Sequence, residues 1–564
     1  MHPKFSILVF LLSVPTISMC QRFPAVGSNQ TLRARSYDVL NQFLNSGKTT
    51  SLHEKCGLPA ISYAIKNRRR LRPEVESALE VILSRPDNQK SILVGSMRVH
   101  YDTTGDYAPS MLDSLYQKIP GTADQFADSV AAIANYCEMF EAKVLGYLPI
   151  PSDGSAGGGP EHDIYITDLG DYGYTSPDSV LLSKPNDGDG ETWTSFTTID
   201  NSFQFVNPSA NKGMPGLRVT LAHELHHSIQ LGSYGYWSND IFFHEITSVW
   251  MEDVVFPQVK DYIQYTSSSA GHFANPWVPF NSNDFIMYSR GIWGHFIAKR
   301  FGRDAMRRSW EEARFVPPLQ AVDNALSKAP YNSSFIDAFA EWTGWNYFTG
   351  ARSDSVRYYP EGALYPEIAS SSLTFSPPTQ TGAGTLYALS SAYLIISFDG
   401  NTFPYIVSNI NLDSAIIRYP LSFPYTYSIA EAGNDSLTAN FYVPDKSGWF
   451  NKILGNDWSN TILIPGTSIA APFPDPFYPN GSSDINFPVG GTNPVAGELS
   501  IFSADMKLVY SGSLSSTMSI RLGGEVIKWN GIKNNAEMAS SGVYIYFIQM
   551  QGQSIKGKFA LLRK

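Results

Sequence analysis

Three cysteines in 564 residues are too few for a disulfide-stapled scaffold or a cysteine-rich metal array, so the packed cores must hold themselves. Cys20 adjoins a processing signal, which leaves Cys56 and Cys137 either as one disulfide or as two isolated buried thiols. Charge is also scarce, at 16% of residues against roughly 25% in average proteins. With 43% hydrophobic and 13% aromatic residues there is ample core material, which excludes wholesale disorder. A basic excess is missing too: 41 Lys and Arg face 51 Asp and Glu, for a net charge of −10. No broad cationic surface is available to replace counterions, so nucleic acid is excluded as an expected partner. No apolar run approaches the roughly 18 residues needed to cross a bilayer, which predicts no transmembrane segment.

The chain opens with Lys4, an apolar run from Phe5 to Val14, then Pro15 and small or polar residues before Gln21. That run is too short for a membrane helix and reads as a secretory signal peptide over 1–20, cleaved before Gln21; acylation of Cys20 is the rival reading. The expected location is secreted or on a bacterial cell surface.

Length predicts several domains. Residues 21–90 carry short helical patterns, with Val75, Leu79, Ile82 and Leu83 on one face, and read as a helical leader or pro-segment. Its Arg68-Arg69-Arg70 run is either a processing site or, the preferred reading, a solvated helix face. Residues 91–370 mix strand and helix: strands at 92–94, 97–101 and 163–166, and helices over 124–145, 286–301 and 305–313. The glycine-rich stretch Gly154 to Gly159 lacks the spacing of a phosphate cradle and reads as a linker, and Asp187 to Glu191 reads as an acidic turn rather than a calcium loop. Short β runs separated by turn residues then predict a β-sandwich over 371–471 and a further β unit over 472–564, joined by the Pro-rich stretch Ala471 to Phe477. The expected fold class is α+β.

One segment has a sharp chemical reading. Leu221 to Gly232 contains H-E-x-x-H on a helical pattern, expected to end at Gly232. Residues four apart share a helix face, so His223 and His227 can aim ring nitrogens at one metal, while Glu224 can reach a water there as general base. Treating all 51 acids as Glu, chance yields roughly 0.016 such matches in 564 residues. His226 is assigned to a supporting or surface role. Zinc usually takes a third protein ligand, and a second helix over 240–253 offers Glu245 and Glu252; 17 residues separate His227 from Glu245, which is preferred. The β-branched run Ser195 to Asn201, just ahead of the metal helix, is the candidate edge strand for pairing with an extended substrate.

This pattern, an H-E-x-x-H helix followed by a Glu-bearing helix, resembles the gluzincin metallopeptidases. The segment Tyr288-Ser289-Arg290-Gly291 is similar to the Tyr-x-Lys-Gly segment of their aminopeptidase N relatives, which implies that Tyr288 stabilises an oxyanion. His100 to Gly105, Phe243 to Asp253 and Trp345 to Gly350 look like a group of secreted bacterial metalloproteases, covering about residues 90–370. The Gly-x-Met-Glu-Asn segment of the aminopeptidases is missing, which argues against exopeptidase action. In the tail, Gly497 to Ser503, Lys528 to Gly531, Ala539 to Tyr546 and Gly557 to Lys564 resemble the C-terminal sorting domain of type IX secretion. The resemblances imply a zincin-like catalytic domain followed by β-sandwich modules. They also imply Zn2+ on His223, His227 and Glu245, a protein or peptide substrate, and the type IX machinery as partner. The alternatives are a surface adhesin with a non-catalytic metal site and a metal-dependent hydrolase acting on other bonds.

Overall fold

The computed structural model describes residues 36–40, 54–183 and 189–418 and, with short interruptions, most of 421–453, 477–519 and 524–563. The expected signal peptide, the β run at 462–464 and most of the Pro-rich stretch at 471–477 lie outside the described residues. The architecture is mixed α+β with several sheets.

The first sheet carries five strands: β1 (Lys90–Val94), β2 (Met97–Tyr101), β3 (His162–Thr167), β4 (Gly173–Leu182) and β5 (Thr192–Asp200), in the order β1-β2-β3-β5-β4. Strands β2, β3 and β5 run parallel, while β1 and β4 are antiparallel at the two edges. The candidate edge strand Ser195 to Asn201 is therefore corrected. It lies in β5, paired on both sides, and the edge is β4. Six of the ten β4 residues hold Pro177 or follow it, and proline is tolerated at an edge because it cannot donate to a ladder.

Helices α1 (Leu58–Lys66) and α2 (Pro73–Leu83) precede the sheet. They bury Ile61, Ala64, Val75, Leu79 and Ile82 against Leu169 and Tyr174, so the leader docks onto the β4 end of the sheet. Between them Arg68–Arg70 form one exposed turn, with Arg68 Nε donating to Glu76 Oε1 at 2.8 Å, as a solvated face would. The 2→3 crossover contains α3 (Ala123–Met139), which continues as a wider turn over Phe140–Val144.

Helices α4 (Met214–Ile229) and α5 (Ile241–Val255) form the centre of the molecule. All fifteen residues of α5 are buried, so the helix is covered on every side. The expected end of α4 at Gly232 is corrected: the chain stays helical through Tyr234, and Gly235 turns it with φ +140°. The helix expected over 286–301 is two pieces, Ile286–Ser289 and α6 (Ile292–Phe301). At the break the buried Arg290 guanidinium donates to the carbonyls of Val278, Pro279 and Phe280. Helices α7 (Asp304–Ala313), α8 (Pro318–Ser327) and α9 (Phe335–Trp345) complete the helical layer.

Gly294 lets α6 approach α5. A Cβ added there would lie 2.2 Å from Trp250 Cγ, and Trp250 is locked in the core. Gly294→Ala should therefore cost about 1–3 kcal/mol through overpacking, only partly offset by helix propensity, and calorimetry should show a lower melting temperature. An unchanged melting temperature would mean that this helix contact is slack.

Strands from Ser371 to Ile453 form a three-stranded and a four-stranded sheet around Phe375, Ile396, Tyr405, Ile429 and Trp449. Ala388, Tyr393, Ile406 and Phe450 join the central core, so this unit is docked onto the helices. Residues 477–561 form another pair of sheets with a core of their own, including Phe487, Ile501, Trp529, Tyr546 and Phe559.

Candidate metal centre

Local helix geometry brings His223 and His227 of α4 together, and α5 packs across them to add Glu245. The Nε2 atoms of the two histidines are 3.0 Å apart. Glu245 Oε2 lies 3.1 Å from His223 Nε2, and Oε1 lies 3.3 Å from His227 Nε2. Glu245 precedes Glu252 by two turns, and the gap between them is spanned by the imidazole of His223, whose Nδ1 contacts Glu252 Oε1 at 2.8 Å. Glu252 thus braces a histidine while Glu245 faces the centre.

The far side of His227 is fixed by Gln230. Its amide nitrogen donates to Thr247 Oγ1 at 2.9 Å and to Ser248 Oγ at 3.2 Å, which turns the amide oxygen toward the rings. That oxygen accepts from Nδ1 of His227 at 2.8 Å and of His244 at 2.9 Å. With both Nδ1 atoms of the facing pair occupied by acceptors, the Nε2 lone pairs of His223 and His227 converge with the Glu245 carboxylate. Three converging lone-pair donors repel one another unless a cation or proton lies among them.

The electrostatics agree. Burial opposes charge on His223, but the carboxylates of Glu245 and Glu252 outweigh it and push the ring up to about 10. Burial likewise opposes the charged form of Glu245, yet His227 and His223 bring its carboxyl down to about 2. The metal-free chain thus answers the converging donors with a proton on His223, where a divalent ion would serve the same purpose. Sequence reasoning missed the fourth member of the group. The ligand atoms of Cys56, His223, His227 and Glu245 all lie within 4.8 Å of one another, and all four residues are buried. Two imidazoles, a carboxylate and a thiol fit the donor preferences and coordination number of a zinc-type divalent ion. Cys56 and Cys137 are both free thiols, so the disulfide alternative is not realised. Burial, with Glu224 and Glu245 adding, pushes the Cys56 thiol well up in the metal-free chain.

Glu224 follows the first histidine, and its side chain is held by Thr175 of β4. The Thr175 hydroxyl donates to Glu224 Oε2 at 2.8 Å and reaches the Glu224 carbonyl at 2.9 Å. The Cys56 thiol stands beside the same carboxyl, within reach of a side-chain hydrogen bond. Burial pushes Glu224 up. Tyr288 is fully buried, and its hydroxyl donates to the Cys56 carbonyl at 3.2 Å.

His226 points elsewhere. It is buried, not at the surface, with Nδ1 2.7 Å from Glu141 Oε2 beyond α3. Burial drives the Glu141 carboxyl up and the His226 ring down, so both favour their neutral forms. In the acidic turn, Asp187 and Gly188 lie outside the described residues, and Asp189 accepts from the Ser238 hydroxyl at 2.7 Å.

No protein family matches the sequence, and no curated protein matches it. Among solved structures, dimeric latent PorU from Porphyromonas gingivalis aligns with 35% of this chain and 19% of its own, at 12% identity and a TM-score of 0.14. A likeness that slight carries no argument. No described helix is long and apolar enough to cross a membrane.

Proposed function

We propose that this chain is a secreted zinc-dependent endopeptidase with a gluzincin-like catalytic domain. The observation that carries the reading is the convergence of His223, His227 and Glu245 with a carboxyl, Glu224, that the donor set does not need. A purely structural metal site has no use for a buried carboxyl held beside its ligands by the Thr175 hydroxyl and adjoined by the Cys56 thiol. A hydrolytic site requires one.

Zinc bound by His223, His227 and Glu245 would polarise the scissile carbonyl and acidify the attacking water. Glu224 takes the proton from that water and returns it to the leaving amine, so its place one residue beyond a ligand is functional. Thr175 fixes one oxygen of Glu224, and the Cys56 thiol stands beside the carboxyl where an attacking water would have to come. Gln230 and Glu252 hold the two rings in the tautomers that present Nε2. Tyr288 donates its hydroxyl where a carbonyl oxygen develops charge. Strand β4 lies at the edge of its sheet, where an extended peptide can add by main-chain pairing.

The test is metal content of the purified chain beside digestion of a peptide library. Stoichiometric zinc with cleavage supports the reading, and cleavage of non-peptide substrates alone would make the protein another kind of hydrolase. Zinc without hydrolysis under every activation condition would favour the adhesin, which the four-donor set with Cys56 would suit as a closed structural site.

The tail reading belongs to the same proposal: residues 472–564 address the chain to the type IX secretion machinery. The separate core of 477–561 supports a removable unit. Deleting 472–564 should leave the melting transition of the remainder in place while the protein accumulates inside the envelope of its host. Normal export of the truncated chain would remove the sorting role, and loss of the transition would remove the boundary.

A further inference from the structure

Three consecutive leader residues are each spent on the centre. Lys55 is fully buried and pairs with Glu252 Oε2 at 3.0 Å and with Asp261, which ties the leader to the acid that braces His223. Cys56 directs Sγ at His223, His227 and Glu245 and its carbonyl at Tyr288. The N–H of Gly57 donates to the carbonyl of Gly173 at 3.0 Å, on edge strand β4. Only glycine permits that approach, since a Cβ on residue 57 would lie 2.5 Å from Tyr37 and 2.8 Å from Tyr174. The segment therefore passes between the edge strand and the donor group, with one main-chain bond to β4 and one carbonyl on Tyr288, as a peptide substrate would.

The consequence is a closed centre. His227, Glu224 and Glu245 are 0% exposed and His223 1%, with Cys56 at 2%, so no peptide reaches Glu224 while residues 55–57 are in place. A catalytic zinc keeps one position open for water, and four protein donors fill a tetrahedron.

We infer that Cys56 is a fourth metal ligand, bound as thiolate in the position the attacking water needs, and that residues 55–57 hold the enzyme latent by lying in its cleft. This rests on the metallopeptidase reading above. The Sγ–metal bond forms as the thiol proton leaves to solvent, and the latch opens when that bond is replaced by water. The segment's covalent tie is accessible at the exposed Arg68–Arg70 turn between α1 and α2, where an arginine-directed endopeptidase can cut.

The experiment uses the full chain loaded with cobalt in place of zinc. The parent should show a near-ultraviolet thiolate-to-cobalt charge-transfer band. Cys56→Ser should bind cobalt without that band, and with the Sγ anchor gone residues 55–57 should leave the cleft in a larger share of molecules, so that its zinc form cleaves a peptide library about tenfold or more faster, the gain available when a competent state ceases to be a minor population. A parent without the band, or a variant that keeps it, overturns the ligation. Loss of the band with no gain in hydrolysis overturns the latch and makes Cys56 a structural ligand. Cobalt binding by neither protein overturns the metallopeptidase reading itself, a result distinct from the other two. Alkylation mapped by mass spectrometry decides the ligation even where the variant fails to fold. At a denaturant concentration that exposes both buried thiols in the metal-free parent, zinc should protect Cys56 from iodoacetamide more than it protects Cys137, and equal protection of the two thiols would refute the ligation.

Discussion

Glu245→Ala should lose metal at concentrations where the parent retains it, while Glu252→Gln should keep it with a modest loss. Structural zinc sites bind with about 10–16 kcal/mol in total, so one donor among three or four is worth a few kcal/mol, or roughly a hundred- to a thousandfold in dissociation constant. Groups that orient a ligand contribute about ten- to a hundredfold. Glu245 presents both oxygens to the facing Nε2 atoms, at 3.1 and 3.3 Å, whereas Glu252 touches His223 through the opposite ring nitrogen. Seven residues on one helix rise about 10 Å, too far for both acids to ligate one ion at about 2 Å. Competition with a chromogenic chelator reads the two constants. Should metal survive Glu245→Ala and be lost with Glu252→Gln, the assignment of faces on α5 is wrong, and the resemblance to the gluzincins falls with it.

The part of this centre that the sequence disclosed is the part encoded by short spacing. His223 and His227 share a face because they are four apart, and Glu245 follows on the next helix, so pattern and chemistry coincide within one stretch of chain. Cys56 was not legible. It sits in the leader, far from His223 in sequence, and only docking of α1 against β4 brings its thiol to the histidines. Composition pointed the other way, since three cysteines invite the question of pairing and not of ligation. Thr175 and Gln230 were equally hidden, because a hydroxyl on an edge strand and an amide at a helix end acquire meaning from what they touch. The edge strand itself carried a signal in Pro177, which marks β4 as outer, whereas the buried β-branched run of β5 is what a strand covered on both sides looks like. The helix α5 was readable in extent but not in depth, since polar residues such as Glu245, Thr247, Ser248, Glu252 and Asp253 gave no sign that every face of it is buried.

Glu224→Gln should abolish turnover and leave the metal in place. The substitution keeps shape and one oxygen acceptor for Thr175, so the hydroxyl contact at 2.8 Å can persist, while the group that takes the proton from water is gone. General-base catalysis is worth about 10²–10⁴ in rate, and loss of nearly all of it is expected because no other carboxyl can take over: Glu245 faces the two Nε2 atoms, and Glu252 faces Nδ1 of His223 and Lys55. The comparison is best made in the Cys56→Ser background, where the parent rate is high enough for the whole fall to be read. Stability should move the other way. Burial pushes the Glu224 carboxyl up, so in the metal-free chain its ionised form opposes folding above the carboxyl's unfolded pKa, and a neutral amide removes that opposition. The metal-free Glu224→Gln chain should therefore melt no lower than its parent at neutral pH. Retained hydrolysis would take Glu224 out of the mechanism. Lost metal with a lowered melting temperature would mean instead that this carboxyl holds the centre together, and the site would then be a structural one.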